Sequence, residues 1–156
     1  MSQKVKPIPD GFHAVTPYLS VQGAARAIEF YQQAFGAREL FRMPMPDGKV
    51  GHAEIQIGDS RIMLADEAPG CDFKSPATVG GTAVGLCLYL EDCDAVFEKA
   101  VSLGAKVMRP LQDQFYGDRS GTLTDPFGHV WTVATHKEDL TVEEVEKRAA
   151  AMFAPK

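Results

Sequence analysis

The chain repeats one pattern of secondary structure, and this repeat limits its possible folds more than any other feature. Each half runs strand, helix, strand, strand, strand, with Phe35-Gly36-Ala37 closing the first helix and Leu103-Gly104-Ala105 closing the second. One such module cannot cover the inner face of its own sheet, so we expect two modules to pair around a shared concavity. The sequence therefore predicts an α+β fold of two paired βαβββ modules forming a curved sheet, plus a C-terminal helix.

The first module is predicted over residues 13–65. An alternating β-branched segment precedes an amphipathic helix, and the turns Asp47-Gly48 and Gly58-Asp59 separate three further strands. The predicted elements are a strand at 13–21, a helix at 23–35 and strands at 39–45, 50–57 and 61–65.

A segment rich in proline and glycine, residues 66–83, is predicted to be a linker, and the pattern then restarts in a second module over residues 84–138. Asp92 is placed to cap the second helix and Gly104 to end it. The predicted elements are a strand at 84–90, a helix at 92–103 and strands at 106–114, 121–124 and 129–135.

Both ends of the chain extend beyond the modules. Residues 1–12 are predicted to form an extended arm, because Pro7 and Pro9 disfavour helix. In the tail, residues 139–156, Thr141 and Glu144 have the spacing of a capping box. The helix that follows carries an apolar stripe that could pack on its own domain or on a partner subunit.

Composition excludes some classes of function. The chain has 156 residues, enough for one compact domain, and a net charge of −5 without clustered lysine or arginine, which argues against binding to nucleic acid or to an anionic membrane. No apolar stretch is long enough to span a bilayer, and the first ten residues do not resemble a signal peptide. Three cysteines without CxxC spacing indicate reduced thiols, so we expect a cytoplasmic protein.

Several short motifs together resemble the vicinal oxygen chelate superfamily, in its glyoxalase/bleomycin-resistance, PhnB-like branch. The similarity covers about residues 13–154. The motifs are Pro17-Tyr18-Leu19-Ser20-Val21, Ala27-Ile28-Glu29-Phe30-Tyr31, Phe35-Gly36-Ala37, His52-Ala53-Glu54, Ile57-Gly58-Asp59, Tyr116-Gly117-Asp118-Arg119 and Asp125-Pro126-Phe127-Gly128-His129. The resemblance implies the paired-module fold and, commonly, a homodimer.

The resemblance also implies four positions at which many members hold a divalent metal. In this chain they are occupied by Thr16, Met63, Gly85 and Thr132. Zinc, nickel and iron sites require imidazole, carboxylate or thiolate donors, and catalytic sites generally use three of them. None of the four residues qualifies, so we expect no metal and no cofactor.

His52 and Glu54 are the most informative polar pair, because residues two apart on a strand leave the same face. With Gln56 they are predicted to look into the concavity, while Ala53, Ile55 and Ile57 take the apolar face. The pair could be a hydrogen-bonded patch lining a pocket, a ligand-recognition site, a base with its orienting group, or a shifted metal site.

Further candidate ligand contacts follow from the alternation of side chains between the two faces of each strand, and from the location of turns in the chain. Arg119 could clamp a carboxylate or phosphonate at the mouth of the pocket, or it could brace a turn by pairing with Asp118 or Asp125. Trp131 alternates with Thr132 on the last strand, so it is expected to face the helix and the core and not the concavity. The candidate ligand-binding set is Tyr18, His52, Glu54, Met63, Tyr89, Tyr116 and Arg119. Cys87 is predicted on the same inner face as Tyr18, Met63 and Tyr89. Phe41, Met43 and Met45 line one face of the second strand as an apolar border. Catalytic residues are not identifiable from the sequence.

Three functions remain open at this point. The first is a homodimer that binds a small organic molecule in the cavity between modules without the usual divalent metal. The second is a metal-dependent glyoxalase, lyase or isomerase that uses a non-standard site around His52 and Glu54. The third is a domain that mainly mediates assembly through its tail helix.

Overall fold

The computed structural model describes residues 5–155. The first four residues of the predicted arm and the last residue of the predicted tail lie outside this range. The chain separates into two compact units, residues 1–81 and 82–156. Each unit contains one four-stranded sheet, and the strand order is the same in both, as the repeat requires. The prediction of an α+β fold built from two βαβββ modules is confirmed.

The elements of the first unit are β1 (Tyr18–Val21), α1 (Ala24–Phe35), β2 (Arg38–Pro44), β3 (Val50–Ile57), β4 (Ser60–Asp66) and α2 (Pro76–Val79). Its sheet has the order β1-β4-β3-β2, in which β1 and β4 are parallel and the other pairs are antiparallel. Helix α1 packs against one face. The buried side chains Ile28, Ile55 and Leu64 lie in this interface, each contributing about 1.5–3 kcal/mol by leaving water.

The elements of the second unit are β5 (Gly85–Tyr89), α3 (Cys93–Ser102), β6 (Lys106–Asp113), β7 (Asp118–Thr124), β8 (Val130–His136) and α4 (Val142–Met152). Its sheet repeats the arrangement of the first in the order β5-β8-β7-β6. Trp131, Leu123 and Phe97 are buried in its core, where α3 approaches the sheet so closely that a Cβ on Gly121 would lie 2.6 Å from the Phe97 ring.

Two predicted strand starts are wrong, and one short helix was not predicted. Strand β1 begins at Tyr18 and not at residue 13, because its parallel pairing with β4 starts there and Pro17 only accepts a hydrogen bond, from the Met63 N–H at 2.9 Å. The predicted linker contains the short helix α2. Strand β7 begins at Asp118 and not at Gly121, because β8 continues far enough for His136 to pair with Asp118.

The tail helix α4 has the predicted capping box. The Glu144 N–H donates to the Thr141 hydroxyl, and the Thr141 N–H donates to the Glu144 carboxylate. None of the eleven residues of α4, all of which the structure describes, is buried. Along its apolar stripe, Val142 and Met152 at the two ends are exposed, and Val145 and Ala149 between them are part-buried. Within residues 5–155, no helix combines the length and the apolar character needed to cross a membrane.

Candidate binding face of the first sheet

The face of the first sheet opposite α1 carries most of the predicted ligand contacts, and we call it the first-sheet face. On β3, His52, Glu54 and Gln56 are part-exposed, whereas Ala53, Ile55 and Ile57 are buried. Ladder pairing brings Tyr18 and Glu54 opposite Met63, and Met43 opposite His52. Because paired residues on neighbouring strands share a face, four of the seven candidates, Tyr18, His52, Glu54 and Met63, lie together.

A chain of polar contacts crosses this face. The Tyr18 hydroxyl lies 2.7 Å from Nδ1 of His52, and Nε2 of His52 lies 3.4 Å from the Glu54 carboxylate. In the tautomer with its proton on Nε2, the ring donates to Glu54 and its Nδ1 accepts from the Tyr18 hydroxyl. Partial burial raises the pKa of Tyr18, so this hydroxyl keeps its proton. The histidine ring is thus held at both nitrogens, between a phenol and a carboxylate.

Arg61 extends this chain and was not among the sequence candidates. Its guanidinium lies 3.6 Å from Glu54, and its Nε is buried without a hydrogen-bond partner among the described residues. Arg61 alternates with the buried Ile62 on β4, so the parity argument that placed Met63 could also have placed Arg61 on this face. The polar chain therefore runs from Tyr18 through His52 and Glu54 to Arg61.

Apolar side chains border the polar chain, as predicted for the second strand. Phe41 and Met43 of β2 are about half exposed, and the Phe41 ring centroid lies 6.1 Å from that of His52. Phe73, from the segment before α2, packs edge-on against Tyr18 with ring centroids 5.5 Å apart. Phe73 was missed, because its contact with Tyr18 crosses more than fifty residues of chain. An exposed aromatic and methionine surface around a few polar groups is typical of small-molecule sites.

The N-terminal arm lies against the same face. A cavity of about 370 Å³ is bounded by Glu54 and Met63 on the sheet side. Its other wall comes from the arm residues Pro7, Ile8, Pro9, Phe12, His13 and Ala14. The sequence predicted an extended arm but gave no sign of its position, since nothing local in residues 5–14 specifies a partner forty residues away.

The second sheet carries Tyr89 on the face opposite α3. The Tyr89 hydroxyl donates to the buried Asp118 carboxylate at 2.7 Å, which raises the pKa of Tyr89 to about 12. The other oxygen of Asp118 lies 2.7 Å from Nδ1 of His136, whose Nε2 lies 2.9 Å from Asp139. Hydrogen bonds to Asp118 and then to Asp139 raise the pKa of His136 above its usual value, so this ring stays protonated to higher pH than a free histidine.

Tyr116 and Arg119 occupy different surroundings. Tyr116, in the turn after β6, is 40% exposed and packs edge-on against Phe115. Arg119 lies on the α3 side of the sheet, where it makes two bonds of 2.7 Å to Asp94 and one of 3.3 Å to Asp113. Its pairing with Asp118 or Asp125, the structural alternative considered from the sequence, is wrong. Because its donors are engaged by α3, we leave Arg119 out of the proposed ligand site.

Comparison with protein families decides the identity of the fold. The glyoxalase/bleomycin resistance protein/dioxygenase superfamily model matches residues 11–133. This chain belongs to that superfamily. The match spans both βαβββ modules and confirms the resemblance drawn from the sequence motifs.

Individual relatives agree with this assignment. An uncharacterized protein of Mycobacterium tuberculosis is 43% identical over 136 residues, a match covering 85% of this chain and 80% of that protein. TioX from Micromonospora sp. ML1 has a TM-score of 0.64 and 27% identity, covering 80% of this chain and 98% of TioX. A PhnB protein from Bacillus cereus shares the fold, with a TM-score of 0.65, 21% identity and coverage of 79% and 99%.

The donor set of this superfamily member does not fit the divalent metal that the family commonly holds. Thr16 precedes β1, Gly85 has no donor, and the Thr132 hydroxyl is hydrogen-bonded to that of Thr122 at 3.1 Å. Across residues 5–155, no three histidine, cysteine, aspartate or glutamate side chains gather in a way that could hold a metal ion. His52 and Glu54 supply two donors, one fewer than catalytic metal sites generally need.

Proposed function

We propose that this protein binds a small organic molecule on the first-sheet face, without a divalent metal. The observation that carries the proposal is the Tyr18–His52–Glu54 chain, which is partly exposed and lies among methionine and aromatic side chains. A polar chain used only for stability would gain from being covered, whereas groups that orient a ligand must remain reachable.

The contacts within the chain indicate what each residue does for a ligand. His52, held by Tyr18 and Glu54, keeps one ring orientation, so a ligand meets it without an entropic cost of ordering. Met63 and Phe41 offer apolar area beside these groups. For the second unit taken by itself, Tyr89 and Tyr116 are proposed as ligand contacts, since both expose their rings.

Replacing His52 by alanine is expected to weaken binding about tenfold, because it removes a hydrogen-bonding group and leaves Tyr18 and Glu54 unheld. Ligand-observed NMR with a library of small aromatic and aliphatic compounds would identify binders to the unaltered protein, and titration of the strongest binder would compare the two. Gln33→Ala, an exposed change on α1, is the matched control and should bind normally. Equal affinity for His52→Ala and Gln33→Ala would refute the proposed site.

We also propose that the protein is a cytoplasmic homodimer, as is common among its relatives in the superfamily. The apolar stripe of α4 is the candidate contact, since Val142 and Met152 at its two ends are 75% and 60% exposed. Light scattering of the full chain and of a chain ending at residue 138 tests this. We expect the mass of a dimer for the first and of a monomer for the second; a monomeric full chain would contradict it.

A further inference from the structure

The arm and the first-sheet face border the cavity of about 370 Å³, which is open to solvent, and its lining indicates a class of ligand. The wall from the arm is mostly apolar, with Pro7, Ile8, Pro9 and Phe12, and Met63 continues it on the sheet. Glu54 is the only aspartate, glutamate, lysine or arginine among the described residues that line it. At about 370 Å³, the cavity falls within the size range of small-molecule sites.

The arm contacts the sheet through a defined turn that packs against Arg61. The Phe12 N–H donates to the Pro9 carbonyl at 3.1 Å, closing a tight turn in which Gly11 has φ +83. A side chain at Gly11 would also clash with Arg61, whose Nη2 would lie 2.5 Å from the added Cβ. The turn thereby brings the Phe12 ring under the Arg61 guanidinium, 4.4 Å from ring centroid to Cζ.

Glu54 has hydrogen-bonding capacity left for a ligand. Its two neighbours, His52 at 3.4 Å and Arg61 at 3.6 Å, are both farther than a strong charge-assisted hydrogen bond of about 2.7–2.9 Å. Its side chain is 21% exposed and therefore partly shielded from water. A carboxylate in such a position interacts more strongly with a cationic donor than it would on an open surface.

From these observations we propose that residues 7–14 form one wall of the ligand site, and that Glu54 selects a ligand with an apolar body and a protonated amine. The inference rests on the proposed function and narrows it. The apolar body lies between Phe12 and Met63, and the amine donates to the Glu54 carboxylate. An organic acid of the same size meets the same walls but is repelled by Glu54.

Three naphthalene probes of equal ring size test this proposal by titration: 2-naphthylmethylamine, 2-naphthylmethanol and 2-naphthoic acid. We expect the amine to bind at least about tenfold more tightly than the acid, since only the amine can donate a charge-assisted hydrogen bond to the Glu54 carboxylate. Glu54→Gln should remove most of that preference and leave the affinity for the alcohol nearly unchanged. Glu98→Gln, on the exposed surface of α3, is the matched control.

The arm is tested separately in the full chain. Phe12→Ala should weaken binding of the amine and the alcohol several-fold alike, because it removes a wall and not a charge. Ile8→Ala should act in the same direction, and Val101→Ala, at an exposed side chain of α3, should have no effect. Melting temperatures of all variants confirm that they fold.

Backbone amide spectra recorded during the titrations separate the possible failures. If probes shift the amides of His52 and Met63 but show no preference for the amine, or no response to Phe12→Ala and Ile8→Ala, this inference is wrong and the proposed function stands. If no probe shifts the first-sheet face, and the compound library gives no binder there, both are wrong.

Discussion

Replacing Trp131 by alanine is expected to lower the free energy of unfolding by about 4 kcal/mol, in the middle of the usual range for buried aromatic residues. Trp131 is 2% exposed in the core of the second unit and pairs with Leu123 across β7 and β8. Its indole Nε1–H donates to the buried Asp125 carboxylate at 2.9 Å. The same carboxylate accepts from the N–H groups of Phe127 and His129, so the indole also anchors the turn between β7 and β8.

Urea unfolding followed by far-ultraviolet circular dichroism measures this effect, because Trp131 is the single tryptophan and its fluorescence is lost with it. Trp131→Phe keeps most of the volume but not the donor, so we expect an intermediate loss of about 2 kcal/mol. Val79→Ala, at a side chain that is 62% exposed, should change the stability by less than about 0.5 kcal/mol. A loss of less than about 1 kcal/mol for Trp131→Ala would contradict this description of the core.

The second large effect is expected at Asp66, at the end of β4. One oxygen of its carboxylate accepts from the N–H groups of Gly23 and Ala24 at 2.7 and 2.9 Å, and the other accepts from Val50 at 2.8 Å. Gly23, the N-cap of α1, has no side chain of its own to cap the helix. Asp66 therefore caps α1 from a distance and fixes the start of β3 at the same time.

Asp66→Ala is expected to lower the free energy of unfolding by about 3 kcal/mol, since three backbone donors lose their partner at about 1 kcal/mol each. Asp66→Asn retains one acceptor oxygen and should lose less. Asp47→Ala is the control, because Asp47 is exposed and accepts from Lys49 N–H in an open turn. Equal stabilities of Asp66→Ala and Asp47→Ala in urea unfolding would refute the remote cap.

Local patterns predicted the elements and the shared face because both follow directly from side-chain periodicity. The alternation along β3 placed His52 and Glu54 opposite Ile55, and the structure shows this arrangement. The capping box at Thr141 was predicted for the same reason, since its partners lie three residues apart. Trp131 was assigned to the core from its parity with Thr132, and it is buried there.

Contacts between distant segments could not be predicted in this way. The contact between Phe12 of the arm and Arg61 joins residues about fifty positions apart in the chain. The cap of α1 by Asp66 joins residues more than forty positions apart. The prediction for Arg119 failed for a related reason, a wrong strand boundary. Because β7 was expected to start at Gly121, Arg119 was assigned to a turn at the mouth of a pocket, whereas it lies within the strand and faces Asp94 of α3.

The most direct test of metal-independent binding on the first-sheet face is one titration in the presence of the chelator EDTA. The strongest binder from the compound library would be added to isotopically labelled protein while its backbone amide spectrum is recorded. We expect the amides of His52, Glu54 and Met63 to shift, with the same dissociation constant as without EDTA. Loss of binding in EDTA and its recovery with excess Zn²⁺, Ni²⁺ or Fe²⁺, or shifts confined to residues away from this face, would contradict the proposed function.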